Sequence, residues 1–248
     1  MGEDNCKLEC LDKRLDRISS HSPNRFCYNI LMSTVLGVFA HPDDEAFFTG
    51  GTIAILAKDH EVYTICITDG AAGENSSNKE GSLSDIRRVE LLEAGKILGV
   101  KETFFLDYKD GTLSNSLYHE IAQKIQKITD ELKPEILLTF ELRGISGHID
   151  HMATSVITSY VFEKSEYIKD LWYFCNTEQI KETIKDYYIF WPPGYKASEI
   201  TKIMDINPVW DIKVSAMVAH NSQMHDVMRI LKRAETLPKE ENFIIIKK

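Results

Sequence analysis

The chain has 248 residues, 43% of them hydrophobic and 27% charged, with 29 Lys and Arg against 38 Asp and Glu for a formal net charge of −9. That size and balance suit one large or two small globular domains with a substantial core, and exclude collagen-like, low-complexity and broadly disordered classes. An acidic balance argues against a dedicated nucleic-acid binder, which needs basic side chains against phosphate, and no apolar run approaches the roughly 18 residues of a membrane-spanning helix.

Residues 1–32 are polar and show little periodicity, so they are expected to form an N-terminal extension, poorly ordered or a helical arm, ahead of a single α/β domain over 33–248. Early acids and the lack of an apolar stretch exclude a signal peptide. Gly2 is followed by Cys at position 6, where a myristoylation site carries Ser or Thr. The five cysteines (Cys6, Cys10, Cys27, Cys66 and Cys175) are scattered and form no C-x-x-C, which points to a reducing cytoplasm and away from a disulfide framework.

From residue 34 onward strand-like and helix-like stretches alternate. Residues 34–40 (TVLGVFA) read as a buried strand, and 44–57 as a helix whose Gly50-Gly51 allows close packing on the sheet. A second strand, 61–68 (EVYTICIT), leads into a polar segment over 69–81. Ser82-Leu83-Ser84-Asp85 fits a capping box for a helix that carries Ile86, Val89, Leu91, Leu92 and Ile97 and ends at Gly99. Residues 103–106 read as a third strand, Asp110-Gly111 as a turn, and 118–132 as a helix with Ile121, Ile125, Ile128 and Leu132 on one stripe. Pro134 separates that helix from a fourth strand at 135–140 (EILLTF). Beyond it, 171–175, 187–190 and 243–246 look like strands and 208–220 like a helix. The order implies a Rossmann-like three-layer α/β sandwich, a mostly parallel sheet with helices on both faces. In such sheets ligands sit beyond the carboxyl ends of the strands.

Three clusters lie just after expected strands: 41–45, 68–74 and 143–151. In Ala40-His41-Pro42-Asp43-Asp44-Glu45, Pro and acids suit a first helical turn, which alone would make Asp43 and Asp44 capping residues. The His three positions before Asp44 adds a second kind of metal ligand in a short rigid turn. In Gly147-His148-Ile149-Asp150-His151, two histidines at i and i+3 can point to the same side. A catalytic zinc site keeps three protein ligands and an open position. His41, Asp44 and one of the two late histidines complete it, leaving Asp43 and the other His for proton transfer and oxyanion stabilisation. The parts suit hydrolysis of an amide or ester. No G-x-G-x-x-G follows the first strand, which disfavours a dinucleotide-binding protein.

The sequence resembles the PIG-L / LmbE-like family of zinc-dependent de-N-acetylases. Its hallmark A-H-P-D-D-E stands intact at 40–45, and its second motif, usually G-H-P-D-H, appears at 147–151 with Ile149 in place of Pro. Thr68 to Glu74 (TDGAAGE), Arg87-x-x-Glu90 with Ala94 and Leu98-Gly99, Asp107 to Leu113 (DYKDGTL), and Lys213, Ala216, His220, Ser222 and Gln223 match its further motifs in order. The resemblance spans roughly 34–223. It implies that His41, Asp44 and His151 hold one metal ion, Zn²⁺, with Fe²⁺ or Co²⁺ suited to the same ligands. It further implies that Asp43 is the general base and that His148 stabilises the tetrahedral intermediate, with donation of a proton to the leaving amine as a second role open to His148. Glu74, Arg87 and Asp110 match positions that contact the sugar, with Arg88 taking the place of Arg87 if the register slips by one. His220 matches one that reaches the active site from a C-terminal helix. The implied activity is removal of acetyl from an N-acetylated, GlcNAc-type sugar or glycoconjugate. Alternatives are a metal-dependent esterase or amidohydrolase acting on a non-sugar acyl group, or a non-catalytic metal-binding module. A homo-oligomer is left open, and residues 160–210, which help shape the pocket in this family, match nothing strongly.

Overall fold

Alternate residues of the first strand, β1 (Thr34–Phe39), face opposite helical layers in a computed structural model that describes residues 32–77, 79–180 and 190–248. Val35 and Phe39 belong to one apolar cluster and Leu36 and Val38 to the other, the period-two pattern of a strand buried on both sides. The chain continues through α1 (Asp44–Leu56), β2 (Glu61–Thr68), α2 (Leu83–Leu98), β3 (Glu102–Tyr108), α3 (Tyr118–Leu132) and β4 (Ile136–Phe140). After a short helical turn at Gly144–Gly147 come α4 (Ile149–Lys164), β5 (Asp170–Cys175), β6 (Lys202–Asp205), α5 (Trp210–Ala219), α6 (Met224–Ala234) and β7 (Glu240–Lys247).

Among the described residues, seven strands form one sheet in the order β3-β2-β1-β4-β5-β7-β6. The first five are mutually parallel, and β7 runs antiparallel to both β5 and β6. Ala46 and Ile53 of α1, Ala94 and Leu98 of α2, and Ala216 and Met217 of α5 cover one face. Ile121 and Ile125 of α3 and Ile157 and Val161 of α4 cover the other. The expected three-layer α/β sandwich is therefore present. Since β1 pairs with β2 on one side and with β4 on the other, the strand order reverses between β1 and β4. A crevice opens at the carboxyl ends there.

Local signals account for several boundaries. Ser82 Oγ accepts the Asp85 N–H at 3.2 Å and Gly99 closes α2 with φ 84°. The Asp85 carboxylate takes the Ser82 hydroxyl at 2.6 Å, so its half of the expected capping box runs to the side chain. A Cβ on Gly51 would lie 2.4 Å from Ile206 Cγ2, while the Glu241 carboxylate accepts the Gly51 and Thr52 N–H groups at 2.9 and 2.7 Å. The glycine pair thus admits the segment before α5 and the start of β7 against the flank of α1.

Some expectations need adjusting. The third strand runs from Glu102 to Tyr108, one residue earlier and two later than expected, and the helix expected over 208–220 begins as a 3₁₀ turn at Asn207–Val209 before α5. Strand β6, helix α6 and the length of α4 beyond its first turn go beyond these expectations. The expected arm over 1–32, apart from Met32, and the strand at 187–190, apart from Phe190, lie outside the described residues. Among the described residues no helix is long and apolar enough to cross a membrane.

Candidate metal centre and active site

Two tight turns bring the clusters at the ends of β1 and β4 together. At the end of β1, Asp43 adopts φ 142°, a conformation that costs a non-glycine residue about 1–3 kcal/mol and persists only when its surroundings enforce it. After β4, the buried Glu141 carboxylate accepts the N–H groups of Arg143 and Ile145 at 2.9 and 3.1 Å and the Tyr195 hydroxyl at 2.8 Å. That bend lets His148 cap α4 and puts His151 in its first turn.

The hydrogen-bond partners fix which imidazole nitrogens carry protons. His151 Nδ1 lies 3.1 Å from the Gly144 carbonyl, which only accepts, so Nε2 presents a lone pair. His41 Nε2 lies 3.1 Å from Asp110 Oδ1 and 3.4 Å from Asp150 Oδ2, so the proton sits there and Nδ1 presents a lone pair. These two bare nitrogens face each other at 3.1 Å. Asp44 adds carboxylate oxygens 3.5 Å from His41 Nδ1 and 3.3 Å from His151 Nε2. With both rings neutral, three electron-pair donors thus converge with no proton between them, an arrangement that calls for positive charge at its centre, either a cation or a second proton on His41. Their separations match the spacing of about 3.3 Å between ligands set tetrahedrally at about 2.0–2.1 Å from zinc.

Charge tells the same story. Burial works to lower the His41 pKa, yet Asp110, Asp150 and Asp44 around it raise it well above its ordinary value. Burial alone would raise Asp44, but His151 and His41 hold its carboxyl far below the usual range. The cluster draws in positive charge and suits a borderline N/O-bound divalent cation. His41 also belongs to a second grouping, with Asp110 and His148. A neutral imidazole has one lone pair, and His41 turns it towards Asp44 and His151, so Asp110 and Asp150 become its outer partners.

Beside this triad, Arg87 donates from Nη2 to Asp43 Oδ2 at 2.8 Å and to the Pro42 carbonyl at 2.7 Å, and from Nη1 to the Gly70 carbonyl at 2.8 Å. Gly70, with φ 67°, is needed there, because a Cβ would lie 2.7 Å from Pro42 Cδ and 2.9 Å from the guanidinium. Burial lifts the Asp43 carboxyl to about 7, against the lowering pull of Arg87 and with a further push from Asp44. His148 Nδ1 accepts the Asp150 N–H at 3.1 Å, which leaves its proton on Nε2. Burial and the neighbouring His41 and His151 push the His148 pKa down to about 4, so the ring stays neutral at pH 7.

Among the remaining sequence-derived residues, Asp110 lines the cavity, with Oδ1 towards His41 and Oδ2 accepting the Ala72 N–H at 3.1 Å. The register favours Arg87, since Arg88 points outward to Asp107. Arg88→Ala should change the unfolding free energy by less than about 1 kcal/mol. Arg87→Ala should cost about 3 kcal/mol or more by leaving the Asp43 carboxylate buried without its partner, a difference that denaturant titration resolves. Glu74 departs from its expected place: its side chain is exposed and only its carbonyl is engaged, by Gln223 Nε2 at 2.9 Å. His220 departs as well. It is fully buried outside the cavity lining, with Nε2 2.8 Å from Glu45 Oε1 and its ring against Phe47, which does line the cavity. Two residues with no earlier assigned role stand inside the quoted motifs. Asp150 accepts the Gly111 and Leu113 N–H groups at 2.8 and 3.1 Å and so ties the 110–113 loop to His41, and Glu45 bonds the Asp43 N–H at 3.1 Å.

A cavity of about 320 Å³ opens over the triad and runs from His41, Asp43 and Asp110 past Trp191 and Trp210 to Arg229 on α6. That volume is in the range of small-molecule sites.

Residues 36–162 match the family described as PIG-L: GlcNAc-PI de-N-acetylase. A relative named probable N-acetyl-alpha-D-glucosaminyl L-malate deacetylase 2, from Bacillus subtilis, is 30% identical over 206 residues, covering 80% of this chain and 86% of that protein. Among solved structures, N,N'-diacetylchitobiose deacetylase from Pyrococcus horikoshii superposes with a TM-score of 0.66 at 20% identity, over 100% of this chain and 95% of its own. A 4-carboxy-2-hydroxymuconate hydratase from Pseudomonas putida KT2440 superposes with a TM-score of 0.68 at 19% identity, over 88% and 97%. The architecture therefore hosts more than one chemistry, and function must be argued from the site. With its sequence matched across the two turns that build that site, the chain belongs to the PIG-L family.

Proposed function

We propose that this chain hydrolyses the amide of an N-acetylated amino sugar, releasing acetate and a free amine. The observation that carries the reading is the convergence of His41 Nδ1, His151 Nε2 and an Asp44 oxygen beside the buried Asp43 carboxylate and the His148 Nε2–H. Zn²⁺, the cation best suited to His41, Asp44 and His151, supplies Lewis acidity when bound, making water more acidic and the acyl oxygen more electron-poor.

The protein's own groups do the rest. Asp43, oriented through Oδ2 by Arg87, accepts the proton of the attacking water and later passes it to the departing nitrogen. Its burial suits that double duty, since a carboxyl that holds a proton near neutrality can both take and return one. His148, neutral with its proton on Nε2, donates a hydrogen bond to the oxygen that gains charge as the carbonyl becomes tetrahedral. Asp110 and Arg87, on the cavity wall, are the groups we assign to the sugar hydroxyls; Glu74 and His220 are not. The substrate class is a small GlcNAc glycoside, the class for which the Bacillus subtilis relative is named. The buried free thiols of Cys66 and Cys175 suit a reducing compartment such as the cytoplasm.

Purified protein loaded with zinc should release acetate and amine in equal amounts from GlcNAc glycosides, lose that activity to a chelator, and regain it with added zinc. Matched acetyl esters separate the esterase reading. Tight binding of every amide substrate without acetate release would refute the proposal.

A further inference from the structure

The Pro42–Asp43 peptide is gripped at both of its polar atoms. Its carbonyl accepts from Arg87 Nη2 at 2.7 Å and Nε at 3.3 Å, and its N–H donates to Glu45 Oε2 at 3.1 Å. The orientation of that peptide plane sets φ of Asp43, and the value it sets, 142°, is one that an Asp does not hold unaided. Glu45 is itself fixed, because its other oxygen, Oε1, lies 2.8 Å from His220 Nε2. His220 is fully buried, and among the described residues its Nδ1 has no hydrogen-bond partner, so the bond to Glu45 is the polar contact that fixes the ring. Glu45 and His220 do not line the cavity and cannot reach a substrate.

We propose that Glu45, braced by His220, is a positioning residue that holds the Pro42–Asp43 peptide in its strained orientation and thereby aims the Asp43 carboxylate. This rests on the proton-accepting role assigned to Asp43. The route runs from the end of α5 through the first turn of α1 to the end of β1, so His220 serves the reaction without touching the sugar.

The test combines kinetics, zinc content and a background lacking the Asp43 charge. Glu45→Gln keeps the shape but removes the carboxylate charge and turns an N–H₂ either towards the Asp43 N–H, which needs an acceptor, or towards His220, which must then move its proton to Nδ1. It should lower kcat about 100-fold, the scale of an ångström-sized misplacement, with KM changed by no more than about twofold and zinc still at one per chain. Placed on Asp43→Asn, the same change should cost no more than about twofold, because the carboxylate it aims is already gone. His220→Ala should follow Glu45→Gln, and His220→Gln, which can still donate to Glu45, should recover most of the loss; this pair decides the matter should Glu45→Gln fail to fold. Undiminished kcat in Glu45→Gln, an equal proportional loss in both backgrounds, or zinc loss in step with activity would overturn the positioning role. Full turnover by Asp43→Asn would instead overturn the reading beneath it.

Discussion

Asp43→Asn should retain one zinc per chain while losing about 10²- to 10⁴-fold of kcat, the usual contribution of a positioned general base. The amide keeps the shape of the carboxylate and can still accept from Arg87, whose Nη2 lies 2.8 Å from Asp43 Oδ2. Asn also tolerates positive φ better than most residues, so the turn at φ 142° should survive. What is lost is the capacity to take a proton. Asp43 is not one of the three groups that converge, and so metal content measured by atomic emission should match that of the unaltered protein. If zinc fell as far as activity, the division between base and ligand would be wrong.

His41→Ala should fail in the opposite order, losing the cation first and turnover as a consequence. Its Nδ1 is one of three donors, and its Nε2–H links the metal site to Asp110 and Asp150. Outer partners of metal ligands are commonly worth 10- to 100-fold in affinity, so removal of the ligand together with its link should cost more than about 100-fold. Competition with a chromogenic chelator measures this directly. Deletion also leaves two carboxylates without their shared partner, so the apoprotein should be less stable than apo wild type.

Much of this was legible in the residues. The first four strands and three helices declared themselves through apolar runs, a serine cap and Gly99, and two strand-end clusters separated by a hundred positions were enough to suggest one shared cation. The sequence left open which late histidine completes the triad, apart from family resemblance; the Gly144 carbonyl at 3.1 Å, which turns Nε2 of His151 inward, is a tertiary fact. Helix α4 went unrecognised beyond its first turn because it is apolar on several sides: Val156 and Tyr160 are exposed while Ile157 and Val161 are buried, so no stripe stands out. Helix α6 has a clear stripe in Val227, Ile230, Leu231 and Ala234 and could have been found. Strand β6 is four residues long, with Ile203 and Met204 as its two apolar positions between Lys202 and Asp205, too short to signal itself. His220 and Glu74 stand outside the cavity lining, and the sequence could not show it. A motif gives residue identity but not the direction of the side chain, and here one turns into the core and the other into solvent.

The most direct measurement is a zinc-edge anomalous difference map from crystals of the zinc-loaded protein. The account predicts one peak per chain, within about 2.0–2.2 Å of His41 Nδ1, His151 Nε2 and an Asp44 oxygen, with one coordination position not filled by protein. A peak on His41 Nε2 shared with Asp110 and His148, or no peak at the ends of β1 and β4, would contradict it.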